Sequence, residues 1–188
     1  MSHLEFLVPG VVALAVFNNA VSFLIIRLFY SRLHLQTFES YRLTPISAFS
    51  LWWGFVLTGA LRSFFTGLVV LFLSWVVVPG LRIPGEIFLW LVPVAVTCGA
   101  FGVFLGLCLR SFDDQALISE FLLIPMSFLS GTFVPLDCLP FWLGKLMWLF
   151  PLAPIAQLLR QVFCRQPVPV SFLALLLLWL AFFAYLDL

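Results

Sequence analysis

Four polar side chains interrupt long apolar runs of this sequence, and they are the residues that could bind or gate a polar cargo there. Asn18 and Asn19 lie in the first run, Arg62 in the second and Glu120 in the fourth. An arginine near the middle of a membrane span costs about 2.5–3.5 kcal/mol on insertion scales, so it normally faces protein or water. Arg62 therefore either contacts a neighbouring helix as a structural residue or lines a substrate path. Glu120 could neutralise Arg62 or Arg27, and the sequence does not choose between the two arginines.

The sequence has no motif for catalysis or metal binding. Its two histidines are His3 and His34, and no His, Cys, Asp or Glu cluster has the spacing of metal ligands. It contains neither a G-x-x-x-x-G-K-[ST] phosphate loop nor a G-x-S-x-G elbow. The neighbouring Asp113 and Asp114 need only a role at a helix N-terminus. We therefore expect no enzyme, no bound cofactor and no metal. A membrane-embedded enzyme that processes a lipid or a sugar is the alternative.

The composition predicts an integral membrane protein. Of the 188 residues, 64% are hydrophobic and 9% are charged, whereas soluble domains have about 25% charged residues. No water-soluble fold of this length could bury so much apolar surface. The net charge of +1 gives no reason to expect nucleic acid as a partner. Cys138 and Cys164 lie in connections and could pair, which sequence alone does not decide.

Five segments are long enough to cross a hydrocarbon core of about 30 Å, which takes about 20 helical residues. The predicted spans are residues 8–29, 51–77, 87–109, 115–134 and 168–186. The first is expected to be a retained span, because no Lys or Arg precedes Arg27 and no small-residue cleavage site is present. Residues 30–50 are the longest polar connection, and residues 159–169 are interpreted as a basic connection. The expected fold class is an all-α integral membrane protein, with residues 1–188 forming a single transmembrane domain.

Small residues recur every four positions along several spans. Such small-xxx-small faces let membrane helices approach closely, so we expect a helical bundle. The last span has no such face and is expected to be an apolar outer helix, and Pro125 marks an expected kink in the fourth span. In the second span, small and polar residues are interpreted as one stripe, which consists of Thr58, Gly59, Arg62, Ser63, Thr66 and Gly67. In the third span, the small residues are Cys98, Gly102 and Gly106.

Basic residues give a weak prediction of orientation. Arg27, Arg32 and Arg42 flank or lie in residues 30–50, and cytoplasmic loops carry an excess of basic residues. The total count of basic residues is equal on the two sides, so only the density of this cluster favours one orientation. It predicts an N-terminus outside the cell and a C-terminus inside.

The segment FLSGTFVPLDCLPFWLGKLMWLFP, residues 128–151, is long enough to cross a bilayer but contains three prolines, two glycines, an aspartate and a lysine. We predict that it does not cross. Residues 128–134 would end the fourth span, and Pro135 and Pro140 would turn the chain back. Residues 141–150 would then form a short helix of about 15 Å, half of a hydrocarbon core. A re-entrant element over residues 135–151 is therefore expected, and such backbone must be buried in protein or line a watery cavity.

The same region resembles the signature of the ABC-2 type permeases, the membrane subunits of ATP-binding-cassette exporters. FLVPG at residues 6–10 is similar to the start of one span in that family. ESYRLTPIS at residues 39–47 is similar to the cytoplasmic loop that contacts the ATPase. The group that exports polysaccharides and lipo-oligosaccharides is nearest. The matching signature positions are Phe128, Leu129, Ser130, Gly131, Pro135, Leu136, Leu139, Pro140, Pro151, Leu152 and Arg160.

The resemblance implies a permease homodimer in the cytoplasmic (inner) membrane of a bacterium or archaeon. Two partner ATPase subunits would bind ATP and magnesium, and this chain would bind neither. The cargo would be a lipid-linked saccharide, a polysaccharide or an amphipathic small molecule, exported between the two permease copies. Permeases of this family have six spans and an N-terminal interfacial helix, so a truncated or reduced form is implied. A non-transporting membrane assembly protein is a further alternative.

The resemblance also implies roles for particular residues. Residues 30–50 would form the loop that couples the permease to the ATPase, and parts of the first, second and fourth spans would line the path. Membrane lipid would surround the bundle. The coupling candidates are Phe38, Glu39, Arg42, Pro45, Ile46 and Ser47, and the path or gate candidates are Asn18, Asn19, Arg62 and Glu120.

Overall fold

The structure is a computed structural model that describes residues 3–34, 47–78, 83–109, 111–130, 150–166 and 168–187. Every regular element in these ranges is helical. The elements, in chain order, are α1 (His3–Phe29), which continues as π-helical Tyr30–His34, α2 (Ala48–Val77), α3 (Glu86–Cys108), α4 (Phe112–Leu117), π-helical Ile118–Leu123, α5 (Ile124–Leu129), α6 (Leu152–Phe163) and α7 (Val170–Asp187).

Among the described residues, three helices are long and apolar enough to cross a membrane. They cover Leu7–Arg32, Ala48–Val77 and Glu86–Cys108, with 26, 30 and 23 residues. Helix α7 adds a shorter apolar helix over Ser171–Asp187. The predicted fold class, an all-α integral membrane protein, is confirmed, whereas the division into five spans and one transmembrane domain stays a prediction.

Local sequence explains where two of the helices begin. The hydroxyl of Ser47 caps α2 by accepting a hydrogen bond from the backbone N–H of Ser50 at 3.2 Å. A capping box begins α4: Ser111 accepts from the N–H of Asp114, whose carboxylate accepts from the N–H of Ser111 at 3.0 Å. The expectation of an acidic residue at this helix start is therefore confirmed for Asp114.

The core is a triangle of α1, α2 and α3, which pack against one another along their lengths. Glycines make the close approach possible. A Cβ added to Gly99 on α3 would lie 2.7 Å from the backbone carbonyl oxygen of Val56 on α2. A Cβ added to Gly102 would lie 3.1 Å from the Cα of Val21 on α1. The expected close packing of a small-residue face is confirmed at Gly102, and Gly99 adds a close approach that the predicted stripe did not include.

Helix α6 is buried against α1 and α3. The interpretation of residues 159–169 as a connection is therefore wrong for residues 159–163, which complete this helix. The sequence did carry the signal, because apolar residues recur three and four positions apart. The buried apolar side chains of α6 are Leu152, Ala153, Ile155, Ala156, Leu158, Leu159, Val162 and Phe163.

Helix α7 lies on the outside of α3. The ring of Phe183 packs against the rings of Phe101 and Phe104 on α3, with centroid separations of 5.3 and 5.5 Å. The remaining surface of α7 exposes Leu178 and Tyr185. This single buried face agrees with the expectation of an apolar outer helix.

Two long-range hydrogen bonds bring four helix ends together. Arg32, after α1, donates to the carbonyl oxygen of Leu107 near the end of α3 at 2.7 Å. Trp52, in the first turns of α2, donates its indole N–H to the carboxylate of Asp187 at the end of α7, also at 2.7 Å. The ends of α1, α3 and α7 therefore lie at the same end of the bundle as the start of α2. Which membrane side this end faces stays a prediction.

Candidate functional site

Helix α2 carries two different faces that are one residue apart in sequence. Gly59 and Ser63 are buried, whereas Thr58 and Arg62 are exposed. The interpretation of one small, polar stripe is therefore wrong, because the structure divides it between two environments. Each residue of an α-helix turns the chain by about 100°, so an offset of one residue is enough to separate a buried face from an exposed one.

Arg62 forms the central contact of the exposed face. Its Nε–H donates a hydrogen bond to Oδ1 of Asn19 on α1 at 3.0 Å. Its Cζ atom lies 4.4 Å from the ring centroid of Phe23, a distance typical of a cation–π interaction. The hydroxyl of Thr66 donates to the carbonyl oxygen of Arg62 at 3.1 Å. The arginine is thus held by the neighbouring helix while remaining accessible from outside the bundle.

Further polar groups lie within one helical turn of this contact on both helices. Asn18 and Asn19 are half-buried on α1, and Ser22 is exposed one turn further along. We call Asn18, Asn19, Ser22, Thr58 and Arg62 the α1–α2 polar surface. It offers one cation, two amides and the hydroxyl of Ser22 to an anionic or hydroxyl-rich ligand, whereas the hydroxyl of Thr58 already donates to the carbonyl oxygen of Gly54 and is left as an acceptor. Large exposed apolar side chains continue the surface of α2 on the side away from Gly59 and Ser63, namely Leu57, Leu61, Phe65 and Val69.

Glu120 does not join this surface through an ion pair within the described ranges. It is exposed in the π-helical segment between α4 and α5, and neither Arg62 nor Arg27 pairs with it among the described residues. The sequence left open which arginine Glu120 might neutralise, and the structure instead joins Arg62 to Asn19. The π-helical turns precede Pro125, which lacks an N–H for the carbonyl of residue 121. The structure has π-helical geometry directly before the helix that contains Pro125, and the expected kink at Pro125 stays a prediction.

The signature region is described at both ends but not in its middle. Phe128 is exposed and Ser130 fully buried at the end of the fourth predicted span, where Leu129 is the last residue of α5. Pro151 and Leu152 are buried at the start of α6, and Arg160 is half-buried near its end. The re-entrant element stays a prediction because the other signature residues lie outside the described residues, namely Gly131, Pro135, Leu136, Leu139 and Pro140.

Of the coupling candidates, the structure describes one. Ser47 is the cap of α2, so its side chain has a clear structural role. Cys138 also lies outside the described residues, and its pairing with Cys164 stays a prediction. The remaining coupling candidates lie outside the described residues as well: Phe38, Glu39, Arg42, Pro45 and Ile46.

The contact between Trp52 and Asp187 is a polar link that the sequence could not reveal. The two residues are 135 positions apart, and no motif joins them. Burial raises the pKa of Asp187 to about 6, and the hydrogen bond from Trp52 lowers it in part. Within the described part of the chain, no three His, Cys, Asp or Glu side chains come together as a metal site would require.

Comparison with known proteins gives the family. A family model described as ABC-2 type transporter matches residues 2–164. The inner membrane transport permease YadH of Escherichia coli K12 is 31% identical over 146 residues, covering 76% of this chain and 56% of that protein. The proteins of the same name from Escherichia coli O157:H7 and Shigella flexneri match to the same extent.

The chain spans about 56% of the length of the relatives it matches. No solved structure matches it. The family match nevertheless covers most of the chain, including all three span-length helices and the ends of the signature region. On this match and the all-helical fold, the chain belongs to the ABC-2 type transporter family.

Proposed function

We propose that the chain is the membrane-spanning part of a permease subunit in an ABC exporter, driven by a separate ATPase. The observation that carries this proposal is the contact between Asn19 and Arg62 on the exposed surface of two span-length helices. Membership of the ABC-2 family and the similarity to a protein named as an inner membrane transport permease support it.

The exposure of Arg62 supports a path between two copies of the chain. Contact between a guanidinium on a membrane helix and lipid tails costs free energy, so the guanidinium should face protein or water. Among the described residues, Arg62 is held by a hydrogen bond to Asn19 and by the face of the Phe23 ring. A homodimer with the α1–α2 polar surface turned inward would supply the polar environment that this surface requires.

The chemistry of the α1–α2 polar surface suits an amphipathic cargo. One guanidinium with amides and a hydroxyl can hold a phosphate or the hydroxyls of a sugar. The exposed apolar side chains of α2, such as Leu61 and Phe65, would accompany the lipid part. We therefore propose outward movement of a lipid-linked saccharide, a polysaccharide or an amphipathic small molecule.

The ATPase is proposed to bind residues 30–50, between the end of α1 and the start of α2. The ends of α3 and α7 lie at this same end of the bundle, as the contacts of Arg32 and Trp52 show. That grouping gives a partner on one membrane side access to several helix ends at once. The partner would bind ATP and magnesium, and the orientation would place the N-terminus outside and the C-terminus in the cytoplasm.

Coupling can be tested with the double variant Glu39→Ala, Arg42→Ala, co-purified with ATP-binding cassette proteins of the same genome that lack membrane spans of their own. Wild-type chain should stimulate ATP hydrolysis in proteoliposomes, and the double variant should insert normally but give no stimulation. Arg165→Asn is the matched control, because it removes an exposed charge from another connection. Asparagine also tolerates the positive φ of 53° at that position.

The outcomes separate two failures. Full stimulation by the double variant would contradict the assignment of residues 30–50 as the coupling loop. Absence of stimulation and of complex formation by the wild-type chain would contradict the permease proposal itself.

A further inference from the structure

We propose that a groove between the end of α1 and the start of α2 binds the headgroup of an anionic phospholipid from the surrounding leaflet. The groove has a volume of about 340 Å³ and opens at the surface of the single chain, where it adjoins the α1–α2 polar surface at Thr58 and extends from there towards Arg27. Lipid binding at this groove requires neither ATP nor a transported cargo. The lining residues that matter are Phe23, Leu24 and Arg27 on α1, and Ser50, Gly54 and Thr58 on α2.

The depth of Arg27 suits a lipid headgroup. The span-length part of the first helix is described from Leu7, and Arg27 follows 20 positions later, about 30 Å along the helix axis, the thickness of a hydrocarbon core. Arg27 lies in the last turn of α1, and Ser50 lies in the first turn of α2. Both therefore lie at the level where acyl chains give way to phosphates.

The charge of the groove favours an anion. Arg27 is exposed and forms no ion pair with any carboxylate among the described residues. Arg32, the next arginine along, is already engaged with the carbonyl oxygen of Leu107. A guanidinium can hold a phosphate through two parallel hydrogen bonds, and the first turn of a long helix such as α2 also favours negative charge.

The shape of the groove suits a molecule that is polar at one end and apolar at the other. From Ser50 to Thr58 the wall formed by α2 is about 12 Å long, at 1.5 Å per residue. Phe23, Leu24 and Phe55 line the groove with apolar surface. The hydroxyl of Thr58 donates to the carbonyl oxygen of Gly54 at 2.7 Å, so the deeper part offers little free polarity.

Gly54 keeps the groove open. A Cβ added there would meet no heavy atom within 4 Å, so a side chain at this position would enter empty space rather than the packed core. Glycine here is not required by close helix packing, in contrast to Gly99. A large side chain at position 54 should therefore fill the groove without separating the helices.

The test measures phosphatidylglycerol retained on the purified chain by native mass spectrometry, after extraction from vesicles of phosphatidylglycerol and phosphatidylcholine. We expect wild-type chain to retain phosphatidylglycerol preferentially. Arg27→Gln should weaken retention about fivefold, the effect of one basic residue near an anionic surface. Gly54→Trp should weaken it at least as much by filling the groove.

Two matched controls should retain phosphatidylglycerol as the wild type does. Arg165→Asn removes an exposed arginine elsewhere, and Gly85→Trp fills another glycine position with nothing within 4 Å. Millimolar inorganic phosphate should not displace the lipid, because phosphate lacks the apolar part. Unchanged retention in Arg27→Gln and Gly54→Trp would overturn the proposal, as would equal losses in the controls or displacement by inorganic phosphate alone.

Discussion

The two faces of α2 differ by one position in sequence and have opposite environments. The face that contains Gly59 and Ser63 is buried against the other core helices, whereas the face that contains Thr58 and Arg62 is open. Both faces repeat every four residues and both consist of small or polar residues. The difference teaches that this composition on a membrane helix serves two purposes, close packing and polar contact, which only the orientation of the helix separates.

The reason that one helix needs both kinds of face is that it lies in lipid rather than in water. Lipid tails are as apolar as leucine, so membrane helices gain little from hydrophobic burial and depend on close van der Waals packing and hydrogen bonds. The buried face of α2 supplies the packing. The exposed face supplies the interhelical hydrogen bond between Arg62 and Asn19. Variants of each face should therefore fail in different assays, the first in stability and the second in transport.

The largest expected effect is on packing. Gly99→Ala would place a Cβ 2.7 Å from the backbone carbonyl oxygen of Val56, which cannot rotate away. We expect destabilisation of about 1–3 kcal/mol, the usual cost of overpacking. The thermal unfolding temperature in detergent should fall by several degrees.

Gly54→Ala is the control for that variant, because a Cβ at position 54 meets nothing within 4 Å. It should leave the unfolding temperature nearly unchanged. Equal losses in the two variants would show that the contrast between packed and open glycines is wrong.

The second expected effect is on transport. Arg62→Leu should lower cargo efflux by about ten- to a hundredfold, as the loss of a hydrogen bond from a charged group of about 1.5–3 kcal/mol implies. Yield of membrane-inserted protein should stay equal or rise, because the change removes a charge from a span. Both quantities can be measured on the same vesicles.

Arg62→Lys sharpens this test, because it keeps the charge but loses the Nε–H that Asn19 accepts. We expect efflux between those of the wild type and Arg62→Leu. Normal efflux with higher yield in Arg62→Leu would make Arg62 a structural residue only.

The smallest expected effect concerns the first turns of the buried face, where Trp52 contacts Asp187. Because burial raises the pKa of Asp187 from 3.8 to about 6, the folded chain binds more protons than the unfolded chain between these pH values. The contribution of Asp187 to stability is therefore greatest below pH 4 and is lost as the pH rises to about 6.

Asp187→Asn should remove this dependence while keeping an oxygen that can accept from Trp52. The unfolding temperature of the wild type, relative to Asp187→Asn, should fall by a few degrees between pH 4 and pH 7. Parallel curves for the two proteins would contradict burial of this carboxylate.

Much of the fold follows from patterns that act over short distances. The length of the apolar runs and the scarcity of charge predicted α1, α2 and α3. The start of α4 follows from its capping residues Ser111 and Asp114. Helix α6 was missed because residues 159–169 were interpreted as a basic connection, although the apolar spacing of this helix is helical. The re-entrant segment and the coupling loop stay predictions because they lie outside the described residues.

The sequence predicted which residues belong to the candidate site but not which of them contact each other. Asn18, Asn19 and Arg62 were identified as polar groups within spans, and the sequence could not assign their partners. The contact of Arg62 with Asn19 joins residues 43 positions apart, and that of Trp52 with Asp187 joins residues 135 apart. Such pairings depend on how helices rotate against each other, which periodicity within one helix does not specify.

The sequence by itself determined that this chain is a helical membrane protein with a family signature and a few costly polar groups. These properties follow from hydropathy, length and local capping, which each segment carries alone. Only the tertiary structure decided which face of α2 is packed, which partner holds Arg62 and that α6 belongs to the core. The reason is that close packing in lipid is a property of helix pairs, and a single offset of about 100° exchanges a buried face for an open one.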